Sequence, residues 1–175
     1  HARGPRHCDL DYEQTCIRHY QAFRRQSIPV DVINAGCDFN RYRVVVAPML
    51  YLVAEDTGAR LRAFVEQGGT LVGTYWTGIV EEHDLCHLGG MPGAGLRAVF
   101  GLRSEEIDAL YPDERRRLEM QADNALGLAG AYEGGWLCDL VHAEGARTLA
   151  VYGEDFYAGM PALTVNDCGE GQAYY

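Results

Sequence analysis

The sequence predicts an α/β domain: an open parallel sheet with helices, followed by an antiparallel, hairpin-rich C-terminal extension. Three observations carry that expectation. Between residues 42 and 75, the apolar runs YRVVVAP and TLVGTY flank an amphipathic segment with short, glycine-marked joints, the pattern of a strand–helix–strand unit. Both runs are apolar at consecutive positions, as in strands covered on both faces. Beyond residue 104, short strand-like runs are punctuated by turn signals: EGG at 133–135, EG at 144–145 and CGEG at 168–171.

The elements follow in order. Residues 11–26 read as a helix, because Tyr12, Cys16, His19, Tyr20 and Phe23 fall on one stripe at a 3.6-residue period. Asp11 with Gln14 three residues on resembles a capping box. Residues 28–33 (IPVDVI) read as a short strand, and a turn through Asn34 and Gly36 leads to the strand at 42–48. Residues 55–67 form a second amphipathic helix, with Leu61, Phe64 and Val65 on one side, acids in the first turn and Gly68-Gly69 at its end. The strand at 70–75 follows at once, then a short helical piece at 95–100. Strands are expected at 105–110, 134–142, 148–152, 162–165 and 172–175. The whole chain, 1–175, reads as one domain, with a parallel core over 1–103 and a β-rich extension over 104–175. In a doubly wound order, the strands at 29–33 and 44–48 flank a slot, because the roughly ten residues joining them are too few for a helical crossover. Such a slot has to be filled by a segment outside this numbering, by another chain, or by residues 1–10 as an improvised strand.

Composition narrows the function. At 175 residues, 47% hydrophobic and 23% charged, the chain can bury a core without disulfide or metal staples. The net charge is −10 and there is no lysine, which argues against nucleic acid or an anionic membrane as partner. The one basic run, Arg115-Arg116-Arg117 after Pro112-Asp113-Glu114, reads as a solvated turn. No apolar run is long enough to span a bilayer, and the first residues lack a signal-peptide pattern. The six cysteines form no C-x-x-C pair; Cys16 lies on the apolar face of the first helix and Cys138 within an expected strand, where free cysteine behaves as a small hydrophobe, and a reduced, cytoplasmic protein is expected.

Sites in parallel α/β sheets form at the carboxyl ends of strands. No phosphate-binding glycine motif follows any of the three readable ends, and no cofactor is expected. The turn after 70–75, where a nucleophile elbow would stand, reads Thr74-Tyr75-Trp76-Thr77-Gly78, and the only serines, Ser27 and Ser104, lie elsewhere. Thr77 has no visible base. The densest polar stretch is EEHDLCHLGG at 81–90, whose His83, Asp84 and His87 have the H-D-x-x-H form of a zinc-hydrolase motif. That motif works on a helix, and Gly78, Gly89-Gly90 and Pro92-Gly93 leave little room for one. A metal-dependent hydrolase using His83, Asp84 and His87 is therefore the alternative reading, and a structured polar loop the leading one. A third reading makes Cys86 a nucleophile with His83 or His87 as base. Sugar hydrolysis needs two carboxylates, for which Glu81, Glu82, Asp84, Glu105 and Glu106 are available, but adjacent acids are usually a solvated face. No convincing catalytic set emerges. Trp76, Tyr111 and Trp136 could serve a protein interface, although Trp136, in an alternating strand, also fits a core position.

The stretch YRVVVAPMLYLVAEDTGARLRAFVEQGGTLVGTYWTGIVEEHDLCHLGGMPG resembles the middle, trimerisation domain of glycoside hydrolase family 42 β-galactosidases. The likeness continues through GLRSEEIDALYPDE and LAVYGEDFYAGMPALTVNDCGEGQAYY, and LDYEQTCIRHYQAFRRQSIPVDVI matches as well. It implies a fold similar to class I glutamine amidotransferases, a flavodoxin-like open parallel sheet, with the nucleophile lost. It also implies a non-catalytic oligomerisation domain in a homotrimer, whose two catalytic glutamates belong to a preceding (β/α)8 catalytic domain of the same protein. His83 stands where the family usually has Asn. Trp76, Glu82, His83 and Asp84 are then candidates for a subunit interface or the mouth of the barrel's active site. Residues 1–8 depart from the strand that the family has upstream of the first helix, and the end at Tyr174-Tyr175 falls in a strand. The expectation is a piece of a longer enzyme.

Overall fold

The computed structural model describes residues 12–175. The proposed cap at Asp11, Cys8 and the improvised strand over residues 1–10 lie outside the described residues. Among the described residues three helices and nine strands follow one another: α1 (Tyr12–Arg25), β1 (Val44–Ala47), α2 (Glu55–Glu66), β2 (Thr70–Gly73), α3 (Leu96–Phe100), β3 (Leu102–Ala109), β4 (Arg116–Met120), β5 (Ala131–Gly134), β6 (Leu137–Ala143), β7 (Arg147–Tyr152), β8 (Pro161–Cys168) and β9 (Gly171–Tyr174). None of the described helices is long and apolar enough to cross a membrane.

The sheet is mixed. Its seven strands lie in the order β1-β2-β9-β8-β7-β4-β5, and β3 and β6 form a separate antiparallel ribbon. Only β1–β2 and β2–β9 are parallel pairs, with Val45 opposite Leu71 and Leu71 opposite Ala173. The remaining pairs are antiparallel. The parallel end carries the main core: Val45, Leu71 and Ala173 meet Leu61, Phe64 and Val65 of α2 and Leu96, Val99 and Phe100 of α3. Here β9 approaches the C-terminal turn of α2 so closely that a Cβ on Gly171 would lie 2.2 Å from the carbonyl oxygens of Gly69 and Val65. Only glycine fits there.

This arrangement corrects the expected flavodoxin-like open parallel sheet and, with it, the implied glutamine amidotransferase-like fold. The parallel part is three strands of a strongly curled mixed sheet. A consecutive apolar run reports burial on both faces, not the direction of the neighbouring strand, and that is why the expectation failed. The strand expected at 28–33 does not form: Pro29 has no N–H to give, Asp31 accepts the Tyr42 hydroxyl at 2.9 Å, and Ile28 and Val32 remain exposed. Among the described strands, β1 is therefore the edge of the sheet, and no pair of them flanks the anticipated slot.

The arginine run is the third correction. Arg116 and Arg117 open β4 rather than a turn. Alternation accounts for its opening residues, since Arg116 and Leu118 are half-buried while Arg117 stays out; Glu119 and Met120 are then both half-buried. The inward Arg116 is satisfied by Asp155 at 2.7 Å and the Tyr157 hydroxyl at 2.8 Å. The stripe on α1 also buries less than its period promised; Thr15 is the helix's buried residue.

Candidate functional site

β1 and β2 run in the same direction, so their carboxyl ends deliver two turns to one place. The Met49 amide donates to the Thr74 hydroxyl at 2.8 Å and ties these turns together. The chain after β1 then pairs with the chain after β2: the Gly78 and Ile79 amides donate to the carbonyls of Leu50 and Tyr51, and the Val53 amide to that of Val80. Thr77 is buried and donates its hydroxyl to the Thr74 carbonyl at 2.7 Å, so it serves as a structural brace of the turn.

Three non-glycine residues here hold left-handed backbone: Met49 (φ 44°), Trp76 (φ 63°) and Trp136 (φ 80°). Each such conformation costs on the order of 1–3 kcal/mol and needs surrounding structure to hold it. Together with Tyr75, Ile107, Ala109 and Leu137 they form one apolar cluster. Trp76 meets Tyr51 edge-on at 5.2 Å, and the Arg18 guanidinium of α1 lies 4.5 Å from the centre of the Trp136 ring. Trp136 thus belongs to a half-buried aromatic cluster at the end of the sheet.

Underneath lies a carboxylate that sequence reasoning missed. Asp139, 4% exposed in the middle of β6, accepts the Trp76 amide at 2.9 Å and the Tyr175 hydroxyl at 2.5 Å, both on Oδ2. Its Oδ1 is buried without a partner. Burial pushes its pKa up to about 6, against the opposing pull of those two donors. Burial and the neighbouring carboxylate push the Tyr175 phenol well above its ordinary value. The available signal was a lone acid inside the apolar string LCDLV.

The stretch 81–90 is a tight reversal. An antiparallel bridge joins Val80 to Cys86, the Asp84 amide bonds back to the Glu81 carbonyl, and Asp84 has φ 63°. Glu81 organises it: Oε1 accepts the amides of His83 and Leu85 at 2.8 and 3.2 Å, and Oε2 meets His83 Nδ1 at 2.8 Å. That pairing lowers the pKa of Glu81 and raises that of His83. Without a helix, the i, i+4 spacing of His83 and His87 does not put them on one face. The His83 side chain is 75% exposed, whereas that of His87 is 6% exposed, its ring occupying the space beside Gly93 and its Nε2 buried without a partner. Among the described residues, the ligand atoms that do come together belong to Glu81, Glu82 and His83, a surface group with Glu81 bonded to His83. Asp84 is exposed at the turn, and so is Cys86. Glu105 is paired with His142 on the ribbon, away from this loop in sequence, while Glu106 is exposed.

The chain was compared with known proteins. A family model described as the β-galactosidase trimerisation domain matches residues 1–175. β-Galactosidase Pbg of Clostridium perfringens is 57% identical over 174 residues, covering 99% of this chain and 25% of that protein. β-Galactosidase BglY of Alicyclobacillus acidocaldarius is 52% identical over the same span. The crystal structure of a cold-adapted β-galactosidase from Rahnella sp. R3 superposes with a TM-score of 0.95 at 54% identity, over 99% of this chain and 26% of that one. The chain thus spans about a quarter of the length of the curated relatives it matches.

Proposed function

Since the chain belongs to the β-galactosidase trimerisation-domain family, we propose that it is the single, non-catalytic assembly domain of a glycoside hydrolase family 42 β-galactosidase. In this reading the parent enzyme hydrolyses terminal β-D-galactosides with retention, and its two catalytic glutamates lie in a (β/α)8 domain of the same protein. The domain holds three copies together. Trp76, Glu82, His83 and Asp84 then face a neighbouring subunit or the barrel. The observation that carries the reading is the family match over the full 175 residues. At the turn after β2, the buried Thr77 spends its hydroxyl on bracing the turn, and Trp76 holds a left-handed backbone, features of a structural rather than a reactive turn. The five cysteines among the described residues are unpaired, which favours a reducing, cytoplasmic setting. The test uses the purified chain with a chromogenic β-galactoside, alongside sedimentation equilibrium. Self-association without turnover is expected; hydrolysis by the chain alone would overturn the reading.

A further inference from the structure

Loop 81–90 holds two leucines in water. Leu85 is 65% exposed and Leu88 fully so, at 102%, and the Leu52–Val80 bridge brings the exposed Leu52 to the same end of the molecule. A slack loop would fold such side chains back onto the protein. This one is braced from several sides: by the Glu81 carboxylate on the amides of His83 and Leu85, by the His87 amide on the Ile79 carbonyl, and by Arg97, which donates to the Gly89 carbonyl while paired with Glu144. The apolar tip is therefore preorganised, the condition under which association loses least entropy. Exposed Glu82 and Asp84 give it an acidic border.

A complementary surface exists on the same chain. Arg24 and Arg25 at the end of α1, with Arg41 and Arg43 just before β1, are exposed and form no ion pair among the described residues. They border the exposed apolar residues Ile28, Val32 and Val44. The bonds from the Ile28 amide to the Phe23 carbonyl and from the Tyr42 hydroxyl to Asp31 draw these segments together, and the second occupies the acid in their midst. This surface sits at the amino ends of the parallel strands, and the leucine tip lies beyond their carboxyl ends.

We propose that the acidic leucine tip of one copy docks on the arginine-bordered apolar surface of a second copy, head to tail. The inference rests on the self-association reading above and assigns its surfaces. A ring of three requires such a heterologous contact, in which two different patches of each chain meet and the rotation closes. Arginine at an apolar patch is also what interfaces favour.

Sedimentation equilibrium of the chain tests it, with Leu85→Asp/Leu88→Asp and Arg24→Glu/Arg25→Glu as variants. All four side chains are exposed, so far-UV circular dichroism spectra should match the wild type and report that the fold is intact. Each variant should weaken association at least tenfold, and raised salt should weaken the wild type. A chain carrying Glu82→Arg/Asp84→Arg together with Arg24→Glu/Arg25→Glu should regain association over either pair alone. Assembly of the leucine variant with wild-type affinity would overturn the inference and leave the self-association reading standing. A wild-type chain that stays monomeric at every concentration would overturn both.

Discussion

Replacing Asp139 by Asn isolates the cost of burying a charge beneath the Trp76 turn. Asn keeps a carbonyl oxygen for the Trp76 amide and the Tyr175 hydroxyl, so the hydrogen bonds and shape survive while the titration disappears. The carboxyl is lifted from an ordinary 3.8 to about 6 in the fold. About two units correspond to about 3 kcal/mol, and a residue this deeply buried needs no discount for solvent screening. The sign follows from which state holds the proton. With the folded value raised, this group's contribution is fully present below about pH 4 and lost as pH rises through about 6. At pH 7.5 the wild type therefore carries a buried anion with no cationic partner among the described residues, whereas the Asn variant does not. Tyr152, which donates to the Asp139 carbonyl at 3.2 Å, and Tyr75 face the same space as neutral phenols. Urea unfolding of both proteins at pH 4.5 and 7.5 reads the effect. The stability difference between variant and wild type should move by about 2 kcal/mol in the variant's favour on going to the higher pH, because about a third of the full effect is already lost at pH 4.5. A difference that is flat with pH, within experimental error, would refute the reasoning.

Tyr175→Phe removes the 2.5 Å donor that opposes the rise, so the pH-dependent window should move upward and stability at pH 7.5 should fall by about 1–3 kcal/mol in urea titrations. Gly58→Ala should destabilise despite a helix-propensity gain of about 1 kcal/mol, because the new Cβ would lie 2.0 Å from the Ala94 carbonyl oxygen. We expect a net loss of about 1–3 kcal/mol from overpacking, and a raised urea midpoint would count against the close approach. Arg116→Met strips the counter-charge from Asp155 and the donor from Tyr157, leaving Asp108 and Asp155 on one side of the ribbon contact. A loss of about 1–3 kcal/mol is expected after allowing for the partial exposure of Asp155, and calorimetry showing no change would refute it.

Local pattern was readable and long-range pairing was not. The run at 70–75 became β2, and the stripe of Leu61, Phe64 and Val65 became the buried face of α2, because each depends on periods of a few residues. Residues 28–33 were also rich in apolar, β-branched side chains, yet a strand exists only where a partner edge is offered, and a sequence does not print its partner. β4 was hidden because Arg116 points inward, a placement that only Asp155 and Tyr157, some forty residues on, make tolerable. At the site, the loop 81–90 was legible as a polar loop ended by glycines, and its resistance to a zinc-type helix followed from Gly89-Gly90. The role of Asp139 was not legible, because its two partners come from a turn 63 residues before it and a tyrosine 36 residues after it. The left-handed backbone of Trp76 and Trp136 was equally invisible, since neither residue type favours it.

The position of β9 governs how the sheet can be assembled. Its four residues, at the far end of the numbering, lie between β2 and β8 and, among the described strands, are the only link between the β1–β2 pair and the antiparallel strands β8, β7, β4 and β5. Until residues 171–174 arrive, β1–β2 and the antiparallel block are two fragments, each with an open inner edge. During synthesis from the N-terminus, the parallel pair must wait for a strand about a hundred residues downstream of β2, a contact of the slow, non-local kind. A chain shortened by its last five residues would therefore lose the seam of the sheet rather than a frayed end.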